Sequence, residues 1–387
     1  MSAPVKPKIA VLIDWYLPGT KAGGPVRSVY SLVNLLKDYF DFYIITLNKD
    51  LGENEPYKTV VSDSLFSNEL VNYYYFGAGN LNSGNLLALF DIIKPDLIYL
   101  NSFWSYPFSI SIVRLKNDGK LPQPVLLAPR GMLGKGALGL KSFKKQAFIL
   151  LAKLLGWYKN VPFHATQRQE EKDILSKFPK AKIHVAPNVN SSPATPNASS
   201  KQKNALRIFY LSRIARVKNL HFAIEALQNI PENYSIQYDI YGNLEDKDYW
   251  NECLGLIEKL PANVTVKYAG ELPFHEVQKT IRNYHGLLLP TLNENFGHSI
   301  VESLLCGCPV IISDQTPWND VEKNNAGYAI DLNQRQKFTE AVVKLAALDS
   351  GEFLKKSNAS ISYISGKIDL AAIASQYKTM FNARIKN

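Results

Sequence analysis

Two glutamates, Glu294 and Glu302, stand with seven residues between them in the segment 289–312, LPTLNENFGHSIVESLLCGCPVII. The apolar run at its start reads as a strand, a polar loop carries Glu294, and a helical pattern opens near Phe296–His298, so Glu302 falls one turn inside the helix. Free backbone N–H groups at such a start favour an anion, and Gly297 lets a phosphate come close to the chain. Carboxylates beside an anion would repel it, so their chemistry is to accept hydrogen bonds from hydroxyls, which sugars present in pairs. His298 stands four residues before Glu302 on the same face. The plain alternative is that both carboxylates are there only because the helix dipole favours them.

A second constellation is cationic. In the segment 208–220, IFYLSRIARVKNL, Arg213 ends an expected strand and Lys218 lies in the following loop, just before a helix; Arg216 between them is expected to be solvated. Charged hydrogen bonds to an anion contribute about 1.5–3 kcal/mol each. The loop 14–28 offers Gly23 and Gly24 for close backbone approach and Pro25 for a first helical turn, without GxGxxG spacing. Arg130 follows another strand, and Gly242 and the stretch Gly270 to Leu272 end two more. The six histidines have no metal-ligand spacing, and Cys306 and Cys308 lack partners for a zinc site. No metal is expected.

The elements that must hold these residues alternate from end to end. Strands are expected at 9–14, 42–47, 97–102, 125–129 and 183–186, then at 208–211, 236–241, 264–268, 286–290 and 310–313, with helical patterns between, among them 219–228 and 298–306. Alternation means parallel sheets covered by helices, with ligands beyond the carboxyl ends of strands. The stretch 191–204, SSPATPNASSKQKN, reads as an exposed linker. The expected domains are 1–190 and 205–369, with a helix at 370–385 that could pack back across the boundary.

The chain has 387 residues, 46% apolar and 20% charged, enough to bury full cores and too apolar for disorder. Three cysteines rule out a disulfide framework and point to a reducing cytoplasm. The first apolar run is too short for a signal peptide, and no run is long enough to span a bilayer, so a soluble or peripheral protein is expected. Of the net charge of +10, residues 101–182 hold a surplus of 11, with 15 Lys/Arg against 4 Asp/Glu. Part of that surplus lies in 141–160, KSFKKQAFILLAKLLGWYKN, a basic amphipathic helix suited either to an anionic membrane surface or to ordinary packing on a sheet. No nucleic-acid signature accompanies it.

Glu294 and Glu302 resemble the E-x7-E motif of glycosyltransferase family 4, and Arg213 with Lys218 resembles that family's R-x4-K element. The resemblance implies an α/β GT-B fold: two doubly wound Rossmann-like domains facing a central cleft, an N-terminal acceptor domain and a C-terminal domain for the nucleotide sugar. It implies a retaining, metal-independent transfer of a sugar from a UDP or GDP sugar to a hydroxyl of a glycan or lipid-linked glycan. Glu294 would then hold donor-sugar hydroxyls with the N–H groups of Asn295, Phe296 and Gly297, and Glu302 the ribose diol. Arg213 and Lys218 would grip the diphosphate, Gly23 and Gly24 would approach it from the other domain, and Gly242, Gly270 and Leu272 would line the base pocket. The segments 163–170 (FHATQRQE) and 183–189 (IHVAPNV) also look like family segments, mostly structural ones. Family members often carry a histidine where this chain has Arg130, which would contact donor phosphate or an anionic acceptor instead. Two rivals make different predictions: a glycosidase using Glu294 and Glu302 needs no nucleotide, and a non-catalytic nucleotide or membrane-surface binder shows no turnover.

Overall fold

The computed structural model describes residues 5–19, 21–68, 71–134, 138, 142–189, 200–273 and 276–385. The chain divides into two compact units, Met1–Val189 with Leu370–Asn387, and Asn190–Asp369.

The sheet of unit 1 contains β1 (Lys8–Leu12), β2 (Asp41–Leu47), β3 (Leu65–Ser67), β4 (Asn72–Phe76), β5 (Leu97–Leu100), β6 (Val125–Leu127), β7 (Phe163–Ala165) and β8 (Ile183–Val185), in the order β3-β4-β2-β1-β5-β6-β7-β8. All neighbours are parallel except β3 and β4. The central strands β5 and β6 are buried along their whole length, which is why they read as continuous apolar runs and not as alternations. Helix Gly24–Leu36 covers the sheet with Val26, Val29, Leu32, Val33 and Leu36, the i, i+3, i+4 stripe of an amphipathic helix. Helix Leu370–Ile385 belongs to this unit: Phe381 packs edge-on against Phe40 at 5.5 Å and Tyr99 at 5.4 Å, and Tyr377 against His164 at 5.2 Å.

Unit 2 has β9 (Ala205–Leu211), β10 (Ser235–Tyr241), β11 (Val264–Gly270), β12 (Gly286–Leu289), β13 (Val310–Ser313) and β14 (Gly327–Ile330), all parallel, in the order β11-β10-β9-β12-β13-β14. The order reverses between β9 and β12, and it is beyond the carboxyl ends at such a reversal that doubly wound sheets take ligands.

Several expectations need correction. The strands β3, β4, β7 and β14 were not anticipated: β3 is a short antiparallel edge strand, and β14 opens on a glycine. Much of the expected linker, 191–199, lies outside the described residues; at its end Ser200, Gln202 and Lys203 are exposed, as expected, and Lys201 alone is buried. The Lys201 ammonium donates to the carbonyls of Ala346 at 2.8 Å and Leu348 at 3.0 Å, so 200–204 is part of unit 2. The basic helix runs over Ser142–Leu154 only, and Gly156, at φ 66°, follows its end. Among the described residues no helix is long and apolar enough to cross a membrane.

Candidate functional site

In unit 2 the loops after β9 and β12 are stitched together by the chain itself. The amide of Leu292 donates to the Val217 carbonyl at 2.9 Å, and the Thr291 hydroxyl donates to the same oxygen at 3.1 Å. Asn219, in the left-handed region at φ 58°, starts helix Leu220–Leu227 and reaches across to donate to the Pro290 carbonyl at 2.9 Å. These bonds bring Lys218 against Glu294: Nζ donates to Oε2 at 2.5 Å, with side-chain exposures of only 12% and 17%. A cation from the first strand end and a carboxylate from the second thus meet at the switch point.

Beyond Glu294 the chain turns at Gly297, φ 81°, into helix His298–Leu305. A Cβ there would stand 2.8 Å from Ile300 Cδ1 and 3.1 Å from Glu294 Cγ, so glycine is required by conformation and by space. The loop is held by Trp318, whose Nε1 donates to the Phe296 carbonyl at 2.6 Å and whose ring meets that of Phe296 at 5.7 Å; the Phe296 ring in turn meets His298 at 4.9 Å. Asn295 and His298 are partly buried at the helix start, and Glu302 is buried within the helix.

Arg213 lies just past β9 and pairs with Glu245, at 39% and 41% side-chain exposure; Tyr210 donates to the Arg213 carbonyl at 2.9 Å and anchors the turn. Arg216 is exposed, yet it is not merely solvated, since it forms a forked pair with Glu252 and lies over the Tyr249 ring at 5.1 Å. Gly242, φ 148°, ends β10 where a Cβ would come within 1.8 Å of the Ser212 carbonyl oxygen, so this glycine is dictated by packing next to Arg213. Its amide donates to Gly270, φ 81°, at 2.9 Å, and Leu272 packs on the unit's core.

The remaining expected residues lie in unit 1. Gly23, φ 64°, precedes the helix that Gly24 opens; a Cβ at Gly23 would meet nothing, so the demand there is conformational alone. Arg130, φ 55°, turns inward. Its NH1 donates to Asn188 Oδ1 at 2.6 Å, Nε and NH2 to Asn101 Oδ1 at 3.2 and 2.6 Å, and NH2 also to the Tyr99 hydroxyl at 3.1 Å. Tyr99 lies 2.6 Å from His164 Nδ1, and His164 Nε2 lies 2.8 Å from the Ala186 carbonyl. A carbonyl can only accept, so Nε2 carries the proton and Tyr99 donates to Nδ1. Burial, then the Arg130 charge, push His164 down to about 3. Glu170, itself buried, accepts from the Gly131 amide at 2.5 Å and from the Thr166 amide and hydroxyl at 2.7 and 2.6 Å.

Asn219, Trp318, Glu245 and the partners of Arg130 were not singled out in the sequence. Asn219 carries one signal, an asparagine next to a helix start, where the left-handed region is tolerated. Among the described residues no group of three or more His, Cys, Asp or Glu is placed to hold a metal ion.

The family described as glycosyl transferases group 1 matches residues 191–363. The poly(glycerol-phosphate) alpha-glucosyltransferase of Bacillus subtilis (strain 168) is 29% identical over 194 residues, 47% of this chain and 27% of that one. The O-antigen chain mannosyltransferase B of Escherichia coli is 24% identical over 145 residues, 36% and 37% of the two chains. The chain spans less than half the length of these curated relatives. The crystal structure of Anabaena HepE in complex with UDP and glucose superposes with a TM-score of 0.68 at 16% identity, covering 97% of this chain and 99% of that one. The chain thus has the GT-B fold, and its second unit carries the match to the group 1 glycosyl transferases.

Proposed function

We propose that the protein is a retaining, metal-independent glycosyltransferase of the family 4 type, moving a hexose from a UDP or GDP sugar to a hydroxyl of a glycan or lipid-linked glycan. The observation that carries this reading is the Lys218–Glu294 pair at the switch point of unit 2, beside the start of helix His298–Leu305. A diphosphate offers Lys218 and Arg213 the same kind of oxygen that Glu294 and Glu245 offer them now, so it can exchange for these carboxylates. Glu294, released, accepts from donor-sugar hydroxyls, and Glu302 serves the ribose diol. The names of the relatives, which act on poly(glycerol-phosphate) and on O-antigen chains, support a polymer or glycan acceptor. The three cysteines are buried free thiols, which suits a reducing compartment.

In the reaction the bond between the anomeric carbon and the diphosphate oxygen breaks. Negative charge grows on the departing diphosphate, where Arg213 and Lys218 offset it. The acceptor hydroxyl forms the new bond on the same face, and its proton goes to the departing phosphate oxygen, so no side-chain base is needed. Incubation with UDP- and GDP-hexoses and glycan acceptors tests this, with the product's anomeric configuration read by NMR. An inverted product removes the retaining mechanism, and cleavage of a glycoside without nucleotide removes the transferase.

A further inference from the structure

Helix Ser142–Leu154 of unit 1 has two apolar faces, and the fold uses only one. Phe148, Ile149 and Ala152 face inward, Phe148 against Trp104 at 5.6 Å and Trp157 at 5.9 Å. Outward stand Phe143, 85% exposed, Leu150 at 60%, Leu151 at 48% and Leu154 at 76%, followed by Leu155 at 56%. At 3.6 residues per turn Phe143, Ala147, Leu150, Leu151 and Leu154 fall in one arc of about 100°, bounded by Lys144 on one side and Lys153 on the other. A surface helix ordinarily turns its apolar stripe inward and its charges out. Here the stripe left in water is the more apolar of the two, and it requires a partner.

Charge identifies that partner. The residues 119–169 carry nine Lys or Arg and not one Asp or Glu; Arg130 is turned inward, while Lys120, Lys144, Lys153, Lys159 and Arg168 stand exposed. A second copy of the chain would bring two such surfaces face to face, lysine against lysine, with no carboxylate from this stretch to relieve them. An anionic bilayer fits both features: its acyl region takes Phe143, Leu150 and Leu154 while Lys144 and Lys153 stay at the level of the headgroups. We propose that this helix lies in the plane of an anionic lipid surface and docks unit 1 onto it. The inference concerns a surface outside the candidate site and stands whether or not the transferase reading does.

Sedimentation of the full chain with phosphatidylcholine vesicles, with and without phosphatidylglycerol, tests it. The protein pellets with the phosphatidylglycerol vesicles at low salt and stays in solution with phosphatidylcholine alone. Lys144→Gln with Lys153→Gln lowers the partition coefficient about 25-fold, roughly five-fold per charge near an anionic surface. Leu150→Ser with Leu154→Ser lowers it at least about ten-fold with an unchanged melting midpoint, because both side chains face water in the free protein. Wild-type protein that stays in the supernatant with phosphatidylglycerol overturns the proposal. So does a wild-type dimer by light scattering that the serine pair converts to monomer while vesicle binding is unchanged.

Discussion

Arg130 in unit 1 and Lys218 in unit 2 are both cations just past a parallel strand, and their surroundings make them opposites. Arg130 donates to neutral acceptors of its own unit, Asn101, Asn188 and Tyr99, with the buried carboxylate of Glu170 nearby for charge balance. An anion arriving there would have to displace bonds that hold three strand ends together. Lys218 is held by one carboxylate at the switch point of the sheet, and a phosphate oxygen can take that place without disturbing the strands. A cation near a strand end is therefore no sign of a phosphate site; what matters is whether its present partner can be exchanged.

The sharpest way to break this contrast is to remove each cation. Arg130→Met leaves two amide oxygens and a hydroxyl without their donor and should lower unfolding free energy by about 3 kcal/mol or more in urea titrations. A change under about 1 kcal/mol would put Arg130 back among the ligand-binding groups. Lys218→Ala leaves one partly exposed carboxylate without its partner and should cost less stability than Arg130→Met, while UDP or GDP affinity falls roughly 10- to 100-fold by calorimetry, the worth of one charged hydrogen bond.

A smaller effect follows from His164, which burial first and then the Arg130 charge keep neutral down to about 3 in the folded chain. The unfolded chain binds this proton near pH 6.5, so the contribution to stability is complete above that pH and lost as pH falls from there toward 3. Denaturant midpoints between pH 6.5 and 5 should decline, and His164→Gln should flatten the decline. His285 in unit 2, lowered to about 4 by burial first, adds to the same slope in both proteins, so the difference between them isolates unit 1. Smallest is Trp318→Phe, which keeps the ring and loses the bond to the Phe296 carbonyl. It should cost roughly 1 kcal/mol and weaken donor binding a few-fold, since the loop before Gly297 loses its tether. Unchanged donor binding would show that helix His298–Leu305 aims its N–H groups unaided.

The same contrast explains what could be read in advance. The placement of Arg213, Lys218 and Glu294 was legible because each follows an apolar run whose end the sequence marks, and that of Glu302 because a helical pattern opens after the loop; strand ends converge in a parallel sheet. The partners of Arg130 were not: Asn101 and Asn188 are 29 and 58 residues away, and only the sheet order β5-β6-β7-β8 brings them to one place. Helix Ser142–Leu154 was recognised as amphipathic, but periodicity cannot say which of two apolar faces the fold will cover, because that depends on Trp104 and Trp157 lying opposite Phe148. The tether from Trp318 likewise joins residues 22 apart through tertiary packing alone.

The account rests on unit 2 gripping a diphosphate with protein cations and backbone dipoles alone, and calorimetric titration of UDP and GDP in EDTA tests that most directly. It predicts that at least one of them binds the wild-type chain with the same Kd in EDTA as in magnesium. Binding that appears only when magnesium is added, or failure of both nucleotides to bind, would contradict it.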